Sequence, residues 1–413
     1  VEHRVVITGI GTISTYGEGK DILWENVRDG KSGIRFIQSF DTEKFNVKIG
    51  GECIDFNPEK YIDPKEVKRH DRFTHFALAA TKICIDDSGI DLNKCNTNNI
   101  GVILGTGIGG LATLSRDAVR LVNEGPRKVS PFYIPASISN MSAGMVAIIF
   151  GLKGPNYVTV TACAASTHAM GEAFNYIRRG IADAVITGGS EAAIVPTGLA
   201  GFSNMGALSK RNDPEHASRP FDKERDGFVM GEGGAIYLFE NFEHAKKRNA
   251  KIYGEVMGYG LNADAHHITA PPPGGEGAVR CMRMAIKDAK ISPDEIDYIN
   301  AHGTSTPYND KTETEAIKIV FGDRAYKIPI SSTKSMIGHL LGASGAMELA
   351  ASLMGIQHGL VHPTANYEIP DPECDLDYVA GSAREVKIKY MMKNSFGFGG
   401  QNAVLVIKNP NSI

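Results

Sequence analysis

Short runs of β-branched residues ending in glycine recur along the chain. They are VVITGIG at 5–11, IGVILGTGIGG at 100–110, ADAVITGGS at 182–190, IYGEVMGYG at 252–260 and IDYINAHGT at 296–304, with IPISST at 328–333 a similar run that ends in hydroxyl residues instead. Between them lie stretches such as HFALAATKICIDDSG at 75–89 and GAVRCMRMAIKDAK at 277–290, with apolar residues three and four apart and glycine or serine near their ends. Near-continuous apolar strands alternating with amphipathic helices predict an α/β protein with largely buried sheets. A weak internal repeat is also legible. YVTVTACAASTHAMGEAFNYIRRG (157–180) and KIPISSTKSMIGHLLGASGAMELAASLMGIQHG (327–359) each run from a strand through a polar turn into a helix of Gly, Ala, Ser and Met. Helices so poor in charge belong inside, and their small residues let backbones approach closely, which predicts two central helices between sheets. The division between the halves is expected near residue 250, giving 1–250 and 251–413, packed as one unit because no long linker separates them.

With 413 residues, 42% of them hydrophobic, the chain can bury a large core or two packed ones. No apolar run reaches the roughly 18 residues that a membrane span requires, so no membrane insertion is expected. The first residue is Val, which leaves a processed targeting leader open. The net charge of −3, from 44 basic and 47 acidic side chains, gives no global attraction to nucleic acid. Local clusters differ. PKEVKRHDR places Lys65, Lys68, Arg69 and Arg72 at near-helical spacing, and GPRKVS adds Arg127 and Lys128. These are either a solvated face or a landing site for an acidic partner. The six cysteines, Cys53, Cys84, Cys95, Cys163, Cys281 and Cys374, lack CxxC pairs or histidines at zinc-ligand spacing, which predicts reduced thiols and no metal site.

Gly105, Gly107 and Gly110 form a GxGxxG after a strand, but a dinucleotide site needs a second strand ending in an acidic residue about 20 positions on. That region is RLVNEGPRKVSPF, where Glu124 is expected in a loop-like segment. Asp264, His266 and His267 in DAHH lack a partner set for a metal, so hydrogen bonding is expected of them. Two readings compete for Cys163: a buried small hydrophobe, or a nucleophile at a strand-to-helix turn, where free N–H groups stabilise a thiolate and bind an oxyanion. Three further motifs follow strand ends. They are His302 in YINAHGTST, Lys334 and His339 in SSTKSMIGHLLGASGA, and the glycine-rich NSFGFGGQN with Phe396 and Phe398.

Together TACAAS, NAHGTST, KSMIGHLLGASG and NSFGFGGQN, in that order, resemble the β-ketoacyl-[acyl carrier protein] synthases of fatty-acid elongation, the synthase II branch in particular, over essentially the whole chain. The resemblance implies a thiolase-like fold of two similar α/β halves in five layers (α, β, α, β, α), usually a homodimer. It implies that Cys163 accepts the acyl group, that His302 and His339 are the paired histidines with Lys334 beside them, and that Phe398 is a mobile gatekeeper whose N–H joins that of Cys163 in an oxyanion hole. Glu348, a carboxylate inside GASGAMELAASLM, is implied as a partner near Lys334. Ile108 is implied at the floor of an acyl pocket, with Phe202 along it. Thr304 and Thr306 are either contacts to a pantetheine arm or turn-stabilising hydroxyls. Lys65, Lys68, Arg69, Arg127 and Lys128 fall where the family docks its carrier. Two departures stand out: Gln401, where threonine is common, and Gly206, where some relatives have an arginine.

The chemistry such an enzyme performs wants these residues. Transfer between thioesters changes the free energy little, so a cysteine keeps the acyl group activated, whereas a serine ester would be less electrophilic. Loss of carbon dioxide from a malonyl thioester makes a carbanion equivalent, and neutral imidazoles donating N–H bonds to the enolate oxygen would stabilise it. Lys334, a nearby cation, is expected to keep those rings neutral. Substrates would arrive on the phosphopantetheine of acyl carrier protein, with no separate cofactor. The compartment would be the cytoplasm, or a plastid or other organelle stroma if a leader has been removed. The rival readings are a coenzyme A-dependent relative, disfavoured by the second histidine and a cysteine-free C-terminal motif, and a non-condensing chain-length-factor subunit, disfavoured by Cys163.

Overall fold

The computed structural model describes residues 2–412. Ten strands carry the architecture: β1 (Val5–Ser14), β2 (Ile100–Gly105), β3 (Asn156–Thr159), β4 (Ala184–Glu191), β5 (Gly233–Asn241), β6 (Gly254–Ala263), β7 (Ile296–Asn300), β8 (Ile330–Ser331), β9 (Tyr390–Gly397) and β10 (Gln401–Lys408). Six helices matter most: α1 (Arg72–Ser88), α2 (Leu111–Glu124), α3 (Ala165–Arg178), α4 (Glu276–Ala289), α5 (Pro307–Phe321) and α6 (Ser344–His358). The strand order is β3-β2-β4-β5-β1 followed by β6-β10-β9-β7-β8. Read from either outer edge, the second set repeats the first with the same parallel and antiparallel pairings. The sets join through three residue pairs, Val5 with Val256, Val6 with Glu255 and Ile7 with Gly254.

Burial follows from this duplication. One core cluster joins α3 and α6 to the inner faces of both strand sets, with Ala169, Met170, Tyr237, Ala346, Leu349 and Leu405 fully or almost fully buried. A second cluster seats α1 on the outer face of the first set, and a third seats α4 and α5 on the outer face of the second. The result is the five-layered thiolase-like fold. The central helices approach closely where side chains vanish: a Cβ on Gly345 of α6 would lie 2.0 Å from Thr167 Oγ1 of α3. Ser166 Oγ of α3 accepts the Ala346 N–H at 3.0 Å, so this dry contact also carries a satisfied polar link.

Two local expectations need correction. Glu124 is the last residue of α2 rather than part of a loop, because Gly125, at φ 87°, ends the helix. Arg72 does not extend a basic helical face. The helix starting at Pro64 stops at Val67, Asp71 caps the next one, and Arg72 turns inward to Glu232 Oε1 at 2.8 Å and the Cys53 carbonyl at 2.8 Å.

Candidate active site

The site forms where the ends of β3, β7 and β9 and the turns after β8 converge, the usual place for chemistry in an α/β sheet. Cys163 sits in a short 3₁₀ turn, Ala162–Ala164, that runs directly into α3. Ala162 holds φ at 48°, an uncommon conformation for a residue with a Cβ. The second half repeats this turn at Leu341–Ala343, with Leu341 at 49°. There the Gly342 N–H is taken by the Glu191 carboxylate at 3.1 Å, which also accepts the N–H groups of Gly107 at 2.5 Å and Ile108 at 3.3 Å. The GxGxxG stretch thus wraps a buried carboxylate of its own chain. Burial outweighs those donors and pushes Glu191 up to about 7.

His302 follows β7, and its position is fixed through its backbone. Its N–H and that of Gly303 each donate to one oxygen of Glu313 on α5, both at 2.8 Å. Lys334 opens a one-turn helix, Lys334–Ile337, and reaches back: Nζ donates to the His302 carbonyl at 2.5 Å and meets Glu348 Oε1 at 2.5 Å. Its 3.5 Å approach to His302 Nδ1 is at the limit of a hydrogen bond. An ammonium can only donate, so this contact favours His302 with its proton on Nε2. His339 is held by its backbone N–H to the Val229 carbonyl at 2.7 Å. Its Nδ1 lies 2.7 Å from Ser344 Oγ and its Nε2 lies 3.1 Å from Cys163 Sγ. The two imidazoles stand edge to face with ring centres 5.5 Å apart. Phe396 packs against His302 at 5.8 Å, and the Phe398 N–H faces the Cys163 sulfur.

The electrostatics are those of a dry site. Cys163, His302, Lys334, His339 and Glu348 are all buried. Burial pushes the Cys163 thiol up to about 12, with Lys334 and the Phe398 N–H opposing it. Desolvation thus favours the thiol over the thiolate here. Burial first, then Lys334, holds both histidines well below the usual imidazole range.

A cleft of about 350 Å³ opens onto this cluster, and Cys163, His302, His339, Thr304, Thr306, Phe202, Phe396 and Phe398 all line it. Thr306 also caps α5 and shares a 2.9 Å hydrogen bond with Thr304. Ile108 is not on the cleft wall. It packs in the apolar cluster that contains Cys163, Leu199 and Leu341, with Phe202 on the same cluster. Lys65, Lys68, Arg69, Arg127 and Lys128 are exposed. Arg69 pairs with Glu66 and lies over the Phe132 ring at 5.3 Å, which brings the first basic group beside the segment carrying the second. Asp117, buried on α2, accepts the Ser130 N–H and pairs with Arg116 and Arg120, so two more arginines flank that segment.

Gln401 and Asn402 open β10, and Asn402 donates to Asp264 at 2.6 Å. His267 accepts the N–H of Thr269 at 3.2 Å. Among the described residues no three of His, Cys, Asp or Glu converge as a metal site, and all six cysteines are unbridged. Sequence reasoning missed Glu313, Ser344, Glu191 and Lys393. The last carried a readable signal, a lone cation in the apolar stretch YMMKNSFGF.

Against known proteins, the N-terminal domain of β-ketoacyl synthase matches residues 2–245 and its C-terminal domain matches residues 253–368. A Synechocystis protein named 3-oxoacyl-[acyl-carrier-protein] synthase 2 is 52% identical over 408 residues, covering 98% of each chain. A protein of the same name from Coxiella burnetii is 49% identical over 407 residues, again covering 98% of each. Among solved structures, a type II polyketide ketosynthase in complex with its acyl-carrier protein superimposes with a TM-score of 0.93 at 36% identity, over the whole of both chains. The turn that presents Cys163 and the strand ends that present the two histidines and the lysine therefore lie in a chain that belongs to the β-ketoacyl synthase family.

Proposed function

We propose that this chain elongates fatty acids by decarboxylative condensation, as a 3-oxoacyl-[acyl carrier protein] synthase of type II, with Cys163 as the acyl acceptor. The observation that carries the residue assignment is the 3.1 Å contact between Cys163 Sγ and His339 Nε2, on the wall of a cleft that His302 also lines.

In the first half-reaction the Cys163 sulfur attacks the acyl thioester carbonyl. The carrier's pantetheine thiolate leaves and takes the thiol proton, with His339 Nε2 placed to relay it. Ser344 Oγ can accept from Nδ1–H or donate to a bare Nδ1, so the ring can present Nε2 with or without its proton. The N–H groups of Cys163 and Phe398 hold the oxyanion. In the second half-reaction the Nε2–H groups of His302 and His339 donate to the malonyl thioester oxygen. Carbon dioxide departs, the bonding electrons form the enolate, and its C2 attacks the acyl carbon on Cys163. The sulfur leaves as thiolate, takes up one proton, and 3-oxoacyl carrier is released. No step draws on a cofactor beyond the carried thioesters.

The exposed Lys65, Lys68, Arg69, Arg127 and Lys128 suit an acidic carrier, and Thr304 and Thr306 at the cleft suit its pantetheine arm. The acyl chain would pass Phe202 toward Ile108. Two copies would pair at the free edge of β3, which ends the strand order, where Ile148, Ile149 and Val160 are exposed at 70%, 47% and 52%. The halves would divide near residue 250, and the enzyme would act in the compartment holding its carrier, cytoplasm or organelle stroma. The decisive experiment offers carrier thioesters and coenzyme A thioesters separately, with mass spectrometry of Cys163. Acylation from the carrier followed by chain extension is the expected result, and a strict preference for coenzyme A would overturn it.

A further inference from the structure

The mechanism above uses Lys334 and leaves a second buried lysine unexplained. Lys393, in the middle of β9, is completely buried. Its Nζ meets Glu348 Oε2 at 2.7 Å, donates to the Asn394 carbonyl and approaches Ser395 Oγ at 3.4 Å. Glu348 is thus shared, one oxygen to Lys334 and the other to Lys393, and neither oxygen takes a hydrogen bond from any other group among the described residues. Removing two ammoniums and a carboxylate from water is costly, and a buried cluster of this kind is weak evidence for added stability. Its connections point elsewhere. Lys393 pairs in register with Asn300, two residues before His302. Ser395 hydrogen-bonds Thr167 of α3 at 2.8 Å, one helical turn beyond Cys163. Glu313, which holds the His302 backbone, accepts Asn394 Nδ2 at 3.1 Å.

We propose that Lys393 is a positioning residue of the condensation, a tethered cation that holds Glu348, and through it Lys334, against His302. The assignment rests on the functional reading given above. A carboxylate, a carbonyl and a hydroxyl form an all-oxygen shell, the donor set that hard cations take. Here a side chain fills it, so the cationic group is tethered to the chain; burial pulls the Lys393 ammonium below the usual lysine range, with the Glu348 carboxylate opposing. After burial and Lys334, the Lys393 charge also contributes to keeping both imidazoles neutral. The charged groups around it are Lys334 and Glu348 on the α6 side and Glu313 on the α5 side, with His302 and His339 beyond.

The test separates half-reactions. Lys393→Met should fold with a thermal midpoint near that of the parent and acylate Cys163 within about twofold of it, while malonyl decarboxylation falls about 10- to 100-fold in kcat with little change in KM, the range for loss of a supporting partner around a charged site. Lys393→Ala leaves a cation-sized, oxygen-lined gap. In tetramethylammonium buffer it should show the same loss, and potassium or ammonium should restore the rate at least severalfold with saturation, leaving the parent enzyme unmoved. Should Lys393→Met fail to fold, the cation response of Lys393→Ala decides alone. A folded Lys393→Met with parental decarboxylation would overturn the proposal, as would equal loss of acylation and decarboxylation in Lys393→Ala without cation rescue. A parent enzyme that never acylates Cys163 would instead overturn the functional reading.

Discussion

The Cys163 sulfur and His339 Nε2 face each other at 3.1 Å, and no other titratable side chain is hydrogen-bonded to that thiol among the described residues. Because burial pushes the thiol up to about 12, the rate of iodoacetamide alkylation of Cys163 should keep rising between about pH 8 and pH 10, where an ordinary exposed thiol, with a pKa near 8.5, is levelling off. A plateau near pH 8.5, read by peptide mass spectrometry, would contradict a thiol resting state.

His302→Ala and His339→Ala should each still accept an acyl group on Cys163, but lose about 10²- to 10³-fold in malonyl decarboxylation, the usual cost of one donor aimed at a developing oxyanion. Cys163→Ala should show the reverse, losing condensation while retaining malonyl binding. Release of labelled carbon dioxide, followed beside Cys163 acylation, distinguishes them. Undiminished decarboxylation in both histidine variants would remove their assigned role.

Lys334→Ala should raise both imidazole pKa values, since Lys334 is the second cause of their depression after burial. The neutral rings do the work, so activity is lost on acidification, and the acid limb of the residual decarboxylation should move to higher pH. Histidine NMR titrations that stay unmoved would show that Lys334 acts only by ordering the site.

Glu191 offers a test on stability. Its folded pKa of about 7 lies above the ordinary carboxylate value, so the protonated form contributes stability that is fully present below about pH 4.5 and is lost as pH rises through 7. Glu191→Gln should flatten that dependence by on the order of 1–3 kcal/mol between these limits, measured by urea unfolding at pH 5 and pH 7.5. Parallel pH curves for both proteins would mean that the three N–H donors and the Thr106 hydroxyl, 3.1 Å from the carboxylate, already offset its burial.

Charge reversal of Arg127 and Lys128 should raise the apparent KM for carrier-borne substrates and weaken its dependence on salt, leaving kcat nearly unchanged. Steady-state kinetics at about 50 and 300 mM salt decides this. An unchanged KM would make the cluster a solvated face only.

Much of this is legible in the sequence. β-Branched runs ending in glycine marked the strands, and the charge-poor repeats marked α3 and α6, because residues that must pack helix against helix have to be small. Cys163, His302, Lys334 and His339 were candidates at strand ends, and only the ordered set of four motifs gave them roles. What sequence could not give was pairing across distance. Glu313 reads as one acid among several in an amphipathic helix until its carboxylate is seen on the His302 and Gly303 N–H groups. Arg72 looked like its basic neighbours, yet a helix break at Asp71 turned it toward Glu232. The burial of the Cys163 sulfur was not legible either, because a helix start is local, whereas desolvation sums over everything packed around it.

Sulfur comes from one strand set, both imidazoles and the lysine from the other; the sheets meet at three register pairs between β1 and β6, and His339 itself is tied across the repeats by its N–H to the Val229 carbonyl and its carbonyl to the Gly231 N–H. Turnover is thus a reporter of docking. Any insult that lets the repeats drift apart by an ångström or two, whether heat, a nick near residue 250 or a bulky change at Gly345, should silence carbon–carbon bond formation while each repeat keeps its own helices and strands.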